Sequence, residues 1–223
     1  DILLEGGVAI SPSGQVGFGG RAVGGTDAVF TQGGIVVAEG YTLPDGNVLN
    51  VFRPEGELDI TYSQSGDLAA FHGRDANSTN AVFTQAGVVA IEGTSLSNGA
   101  VLEEIEANGQ VAINLFGDVA FHGSFEISDG LFDETFRVLL TQRAGETTLT
   151  VTAQEGQTLP DGTTQVEEIN ESGGVAINLF SEVAFHGRVV DPDAGFDTVK
   201  AVFTQNGLVA KEGSTLGDGT TLD

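Results

Sequence analysis

The sequence predicts an all-β protein, built as a β-propeller-like array of four four-stranded repeats. Three observations support this fold class: one pattern recurs four times, apolar residues alternate with polar or small ones over short stretches, and 33 glycines interrupt the chain. Alternation with a period of two is typical of strands, and no stretch shows the period of an amphipathic helix. Four short antiparallel strands per unit are typical of a propeller blade.

Three landmarks mark each repeat, always in the same order. The first is AVFTQ at residues 28–32, 81–85 and 201–205, with VLLTQ at 138–142. A Glu-Gly pair follows, and then a turn sequence, found as YTLPDG, TSLSNG, QTLPDG and STLGDG. We therefore expect a single repeat domain over residues 1–223, with units at about 1–51, 52–104, 105–168 and 169–223.

The fourth unit shows the predicted strands most clearly. Residues 174–177 (GVAI) and 183–187 (VAFHG) form the first two, and residues 200–205 (KAVFTQ) and 208–213 (LVAKEG) form the last two. Asn206-Gly207 predicts a two-residue hairpin between the last two strands, and Gly33-Gly34 and Ala86-Gly87 occupy the same place in earlier units.

The two ends of the chain continue the repeat, because residues 221–223 followed by residues 1–10 align with residues 101–113. Three arrangements satisfy this continuity: four units closed into a ring, a window cut from a longer array, or copies joined head to tail. A β-solenoid and a series of β-sandwich units are the alternative architectures.

Composition narrows the range of partners. The chain has 32 acidic and 8 basic residues, a formal net charge of −24 and no cluster of Lys or Arg. Nucleic acid and anionic membrane surfaces are poor partners for such a chain, because phosphate binding needs concentrated positive charge. Cysteine is absent, which excludes disulfides and zinc-thiolate sites. No apolar stretch is long enough for membrane insertion. Because Met is absent, even at position 1, we expect the chain to be a processed or excerpted piece of a longer precursor.

The phrase INESGGVAINLFSEVAFHG at residues 169–187 has counterparts in every unit. These segments resemble the secreted bacterial tandem-repeat proteins of the N-x-x-G-x-x-A-F-x-A (choice-of-anchor) type. Asn114, Gly117, Ala120 and Phe121 match the pattern, with Gly123 at its last position, and the other units match it in part at Ser11, Gly14, Gly17 and Phe18, at Ser63, Gly66 and Phe71, and at Asn178, Ser181, Ala184 and Phe185. The resemblance implies export, an anchor and an extracellular or cell-surface location.

Three histidines, His72, His122 and His186, occupy one place in the repeat, where the first unit has Gly19. Two interpretations stay open. Each imidazole sits at a strand end and bonds a neighbouring backbone group, or the three line a central channel and converge on a transition metal such as zinc.

Carboxylates and an amide six residues apart form a candidate calcium set. Its members are Glu39 and Asp45, Glu92 and Asn98, Glu155 and Asp161, and Glu212 and Asp218. Calcium takes six to eight oxygen ligands, which such loops can supply. The alternative is structural: Asp-Gly and Asn-Gly make tight turns while Glu caps loop amides. A second candidate, Asp191, Asp193 and Asp197, departs from the EF-hand pattern.

A Thr-Gln pair ends the third strand of every unit, at residues 31–32, 84–85, 141–142 and 204–205. Such pairs either recognise sugar hydroxyls or bond between adjacent blades. No residue breaks the repeat to create a unique site with Ser, His and an acid, so we do not expect an enzyme.

Together these observations predict a non-catalytic, extracellular structural or adhesive surface protein that self-associates, into a fibre or sheath for example. The alternative is a calcium-aided glycan-binding propeller module whose partner is a cell-surface polysaccharide.

Overall fold

The computed structural model describes residues 8–10, 14–52, 59–63, 66–106, 110–128, 133–170, 173–191 and 197–222. All named elements in these ranges are β-strands, and they form four antiparallel sheets, one for each repeat. The predicted all-β array of four repeated units is confirmed.

Strands pair in chain order in the first sheet, whereas in each later sheet the first two strands both pair with the third. The first sheet contains β1 (Val8–Ile10), β2 (Val16–Arg21), β3 (Asp27–Thr31) and β4 (Gly34–Ala38). The second contains β5 (Val51–Phe52), β6 (Asp59–Ser63), β7 (Gly66–Arg74), β8 (Asn80–Thr84) and β9 (Gly87–Ile91). The third contains β10 (Leu102–Ile105), β11 (Val111–Ile113), β12 (Val119–Ser128), β13 (Asp133–Gln142) and β14 (Thr150–Gln154). The fourth contains β15 (Val166–Ile169), β16 (Val175–Ile177), β17 (Val183–Asp191), β18 (Asp197–Thr204) and β19 (Gly207–Lys211).

The later three sheets contain a fifth strand that the pattern of four strands per unit did not include. β10 and β11 pair with different parts of β12, and β15 and β16 likewise pair with different parts of β17. A bulge at Glu103 brings Leu102 and Ile105 into the core although they are three residues apart. The bulge breaks the period of two, which explains why the strand was missed. The expected unit boundaries fall at or inside β5, β10 and β15.

The local turns follow the chemistry of their residues. Hairpins with two-residue loops join β3 to β4, β8 to β9 and β18 to β19, as predicted. The loops are residues 32–33, 85–86 and 205–206, one residue earlier than the predicted links, because each glycine already pairs with a threonine and begins the next strand. Each TLPDG-type sequence forms a small loop in which the leucine N–H donates to a carbonyl four residues later, or five residues later at Leu159. The glycine of the loop adopts a left-handed φ, which favours Gly, at Gly46 (89°), Gly99 (87°), Gly162 (74°) and Gly219 (87°).

The four sheets stack face to face. Strands β2, β7, β12 and β17 occupy the same place in their sheets, and their residues define two faces. We call the side with Phe18, Phe71, Phe121 and Phe185 the front face, and the side with Gly19, His72, His122 and His186 the back face. Three core clusters lie between the back face of one sheet and the front face of the next. Among the described residues no comparable cluster joins the first sheet to the fourth, so the stack is open at both ends.

Candidate functional site

The front face of the first sheet is uncovered. In the later sheets the front-face phenylalanines Phe71, Phe121 and Phe185 are buried against the preceding sheet. Phe18 and Phe30 of the first sheet stack with centroids 5.5 Å apart but remain only half-buried. Val8 and Ile10 are 70% and 69% exposed, whereas Val111 and Ile113 at the same places in the third sheet are 3% and 4% exposed.

The back face of the fourth sheet is uncovered in the same way. Val202 is half-buried and His186 is exposed, while their counterparts Leu139 and His122 in the third sheet are fully buried by the fourth. A groove of about 380 Å³ runs over this face, lined in part by His186, Val202 and Ala210. The stack therefore ends in one front face and one back face, the two kinds of surface that meet at every internal junction.

Besides the apolar clusters, a carboxylate links neighbouring sheets at their hairpins. Asp45, in the loop after the first sheet, accepts a hydrogen bond of 2.7 Å from the N–H of Val88 in the second sheet. Asp161 accepts one from Leu208 in the fourth. A Cβ on Gly207 would lie 2.5 Å from Asp161 Oδ2, and one on Gly87 would overlap Asp45. Glycine at the hairpin thus makes room for the carboxylate, and we call this contact the Asp–hairpin clasp.

Hydrogen bonds lower the pKa of both clasp carboxyl groups. Hydrogen bonds from Thr164, Thr163 and Leu208 lower the pKa of Asp161 to about 2. Partial burial raises the pKa of Asp45, but hydrogen bonds from Asn47 and Val88 outweigh it and hold that pKa below its usual value. Both groups are therefore ionised at neutral pH.

The junction between the second and third sheets is built differently. Asn98 takes the place of the aspartate, and the following hairpin is longer because β13 ends at Gln142 and β14 begins at Thr150. At this junction backbone groups make the contact that a carboxylate makes at the other two. Ser97 N–H donates to Leu149 O at 2.9 Å, and Leu96 forms a parallel bridge with Leu149. An aspartate is thus present in the loop when the hairpin of the next sheet has a two-residue loop followed by a glycine.

Asp45→Ala is expected to lower the melting temperature by a few degrees, because the Val88 N–H loses its acceptor at an exposed position. Asp218→Ala is the matched control, since it removes the equivalent carboxylate from the last loop, which bonds its own Thr220. Equal falls in the two variants, measured by differential scanning calorimetry on dilute samples, would contradict a role for the clasp.

The Glu-Gly glutamates also connect sheets. Glu39 accepts from Phe52 N–H of the second sheet (3.1 Å), Glu92 from Ile105 N–H of the third (3.2 Å) and Glu155 from Ile169 N–H of the fourth (3.0 Å). Each of these glutamates also bonds its own sheet, at Asp27, Asn80 and Arg137. Glu212, after the last sheet, bonds Lys200 N–H and pairs with the Lys200 ammonium at 3.2 Å. The predicted role of these glutamates in capping backbone amides therefore includes amides of the next sheet.

The candidate calcium residues thus already serve as acceptors of protein hydrogen bonds. Within the described ranges, no group of three or more His, Asp or Glu residues is placed to hold a metal ion. Asp191 pairs with Lys211 at 2.7 Å and lies opposite Asp197 in the β17–β18 hairpin. Asp193 lies outside the described residues. Calcium binding by either set stays a prediction.

The three histidines lie on the back faces of the second, third and fourth sheets, one in each. His72 and His122 are buried at junctions, whereas His186 is exposed and its Nδ1 accepts a 3.3 Å hydrogen bond from Gly174 N–H. Neither ring nitrogen of His122 has a hydrogen-bond partner in the described part of the chain. Burial, with a smaller contribution from His186, lowers the pKa of His122 to about 4. His122 is therefore neutral at pH 7.

A polar network at the junction of the third and fourth sheets includes two residues that sequence reasoning did not single out for it, Asp118 and Ser181. Asn114 Nδ2 donates to Asp118 and across the junction to Asn178 O (3.0 Å), and Ser181 Oγ donates back to Asp118. Burial raises the pKa of Asp118, but these hydrogen bonds and one from Ala144 outweigh it and lower the net value. The signal was Ser181 itself, which has a φ of 60° where Gly117 has 89°.

The Thr-Gln pairs serve the sheets themselves. Gln85 and Gln205 each accept a 2.8 Å hydrogen bond from the backbone of their own sheet. Gln142 Nε2 instead donates to Val89 O of the second sheet at 2.9 Å. The expected bond between adjacent units is therefore present at Gln142, while the other two amides bond within one sheet.

A larger groove of about 810 Å³ lies between the second and third sheets, and its lining includes Val88, Phe116 and Leu179. Phe116 and its counterpart Phe180 are exposed at the tips of their turns.

Across the described ranges the chain forms no helix with the length and apolarity to cross a membrane. Comparison of the chain with protein-family models and with curated proteins finds no match. The resemblance to secreted repeat proteins thus stays a prediction.

Proposed function

We propose that the protein is a non-catalytic structural repeat protein that self-associates end to end at the cell surface or outside the cell. One observation carries the proposal: the stack ends in an open front face and an open back face, which correspond residue by residue to the faces buried at its internal junctions. The resemblance to secreted repeat proteins supports the location.

The two open faces differ from each other, so they favour contact between unlike ends. A contact of this kind is heterologous, and it produces a filament unless the rotation per copy closes a ring. The formal charge of −24 opposes association through repulsion between copies, which salt screens. Association is therefore expected to strengthen as salt is added.

Sedimentation velocity over a wide range of protein concentration, with and without added salt, tests the proposal. We expect oligomers that grow with concentration, and we expect Val202→Arg on the back face and Phe30→Asp on the front face each to abolish them. Val23→Arg is the matched control, because Val23 is fully exposed in the β2–β3 turn, away from both faces. A wild-type protein that stays monomeric throughout would overturn the proposal and favour the binding-module alternative.

A further inference from the structure

The two clasped junctions share a rule that relates loop to hairpin. Asp45 meets the Ala86-Gly87 hairpin and Asp161 meets the Asn206-Gly207 hairpin, with the N–H of the residue after the glycine as donor. The middle junction, which has Asn98, meets a longer hairpin and uses backbone contacts. An aspartate in the loop is thus matched to a glycine hairpin in the following sheet.

At the two ends of the stack that the structure describes, one end has an aspartate loop with no following hairpin, and the other has a glycine hairpin with no preceding aspartate loop. The last loop has an aspartate, Asp218, which accepts from Thr220 N–H in its own turn at 2.9 Å. The first hairpin is Gly33-Gly34, with Ile35 at the place of Val88 and Leu208. A Cβ on Gly34 would meet nothing within 4 Å, whereas one on Gly87 or Gly207 meets a clasping carboxylate.

The donor and the acceptor are both available for a partner. Ile35 is 52% exposed, and it lies opposite Phe30 in the same register in which Val88, whose N–H donates to Asp45, lies opposite Phe83. Asp218 is exposed, and hydrogen bonds from Thr220 lower its pKa, so it is ionised at neutral pH. Asp161 shows that one carboxylate can bond its own turn and the next hairpin at the same time.

From this match we infer that Asp218 of one copy clasps the Gly33-Gly34 hairpin of a second copy and accepts a hydrogen bond from Ile35 N–H. The inference rests on the proposed end-to-end association and adds its direction and register. The back face of the fourth sheet covers the front face of the first sheet of the next copy, in the same sense as at the internal junctions. A second copy is the occupant because it supplies a face and a hairpin of the kind that each junction already joins.

Amide hydrogen exchange and sedimentation on the full chain test the clasp. In wild-type oligomers, Ile35 N–H is expected to become protected to the level of Val88 and Leu208, which serve as internal references. Asp218→Ala is expected to abolish that protection and to weaken association roughly tenfold, the effect of one charge-assisted hydrogen bond. Asp218→Asn keeps an acceptor oxygen and is expected to retain most of the affinity. Asp133→Ala, at an exposed aspartate that begins β13, controls for the lost charge.

The outcomes separate the clasp from the proposed function. If the wild type oligomerises while Asp218→Ala associates like Asp133→Ala and Ile35 stays unprotected, the clasp is wrong and end-to-end association stands. A monomeric wild type with unprotected Ile35 overturns both. Protection of Ile35 in a monomer overturns the second copy as occupant, since the chain's own last loop would then reach its first hairpin.

Discussion

Gly123→Ala is expected to destabilise the protein by about 3 kcal/mol, the upper range for adding one methyl to a packed core against backbone. A Cβ at this position would lie 2.9 Å from Glu104 O and 2.9 Å from Leu102 Cδ1, both in the edge strand β10. The carbonyl is held in the sheet, so β10 must move away from β12. Urea denaturation followed by far-UV circular dichroism measures the loss.

Gly217→Ala is the matched control for this substitution. A Cβ on Gly217 would meet nothing within 4 Å, and its φ is outside the left-handed region. The control should therefore change stability by less than about 0.5 kcal/mol. The same close approach recurs at Gly73 and Gly187, which face Val51 O and Glu168 O. A mild effect of Gly123→Ala would mean that β10 pairs less closely than the structure shows.

Acidification from pH 7 to pH 4 is expected to cost roughly 3 kcal/mol of stability through His122 alone. Burial lowers the pKa of His122 to about 4 in the folded protein, against an ordinary value of 6.5. Well above pH 6.5 the imidazole is neutral in both states, and the stability no longer changes with pH through this group. Between pH 6.5 and 4 the unfolded chain binds the proton first, so the folded state loses stability as the pH falls.

The free energy of unfolding of the wild type and of His122→Leu, measured at several pH values, isolates this contribution from that of the carboxylates. The difference between the two proteins should change by roughly 3 kcal/mol across the window and level off above pH 7. His186→Leu is the control with a much smaller expected change, because His186 is exposed on the open back face and makes only the smaller contribution to the pKa of His122. Parallel pH profiles for the wild type and His122→Leu would show that His122 is accessible to solvent.

Local features of this fold could be predicted from the sequence because their causes are local. The Asn206-Gly207 pair predicts a hairpin, which forms with its loop one residue earlier, and Asp161-Gly162 makes a turn through the conformational preferences of adjacent residues. The period of two likewise places Phe185 and His186 on opposite faces. The hairpin signal occurs in three units and the turn and the alternation in all four, so the all-β array could be predicted without knowledge of how the sheets pack.

Features that depend on the neighbouring sheet could not be predicted in this way. Asp45 bonds Val88, which is distant in sequence, and an Asp-Gly turn looks the same with or without such a partner. The burial of His122 and the exposure of His186 follow from which sheet has a successor in the stack. Identical sequence motifs thus acquire different environments, and the candidate calcium loops proved to contain carboxylates with structural hydrogen bonds.

The edge strands β5, β10 and β15 have a consequence for how such a protein changes in length. At each junction the chain leaves one sheet and begins the next as an edge strand, which pairs with the long strand β7, β12 or β17 of that sheet. Duplication or deletion of one full period therefore preserves this crossing wherever the breakpoints fall. Recombination within the gene that adds or removes one whole period therefore keeps the edge-strand crossing, whereas the contact between loop and hairpin depends on which sheets become neighbours.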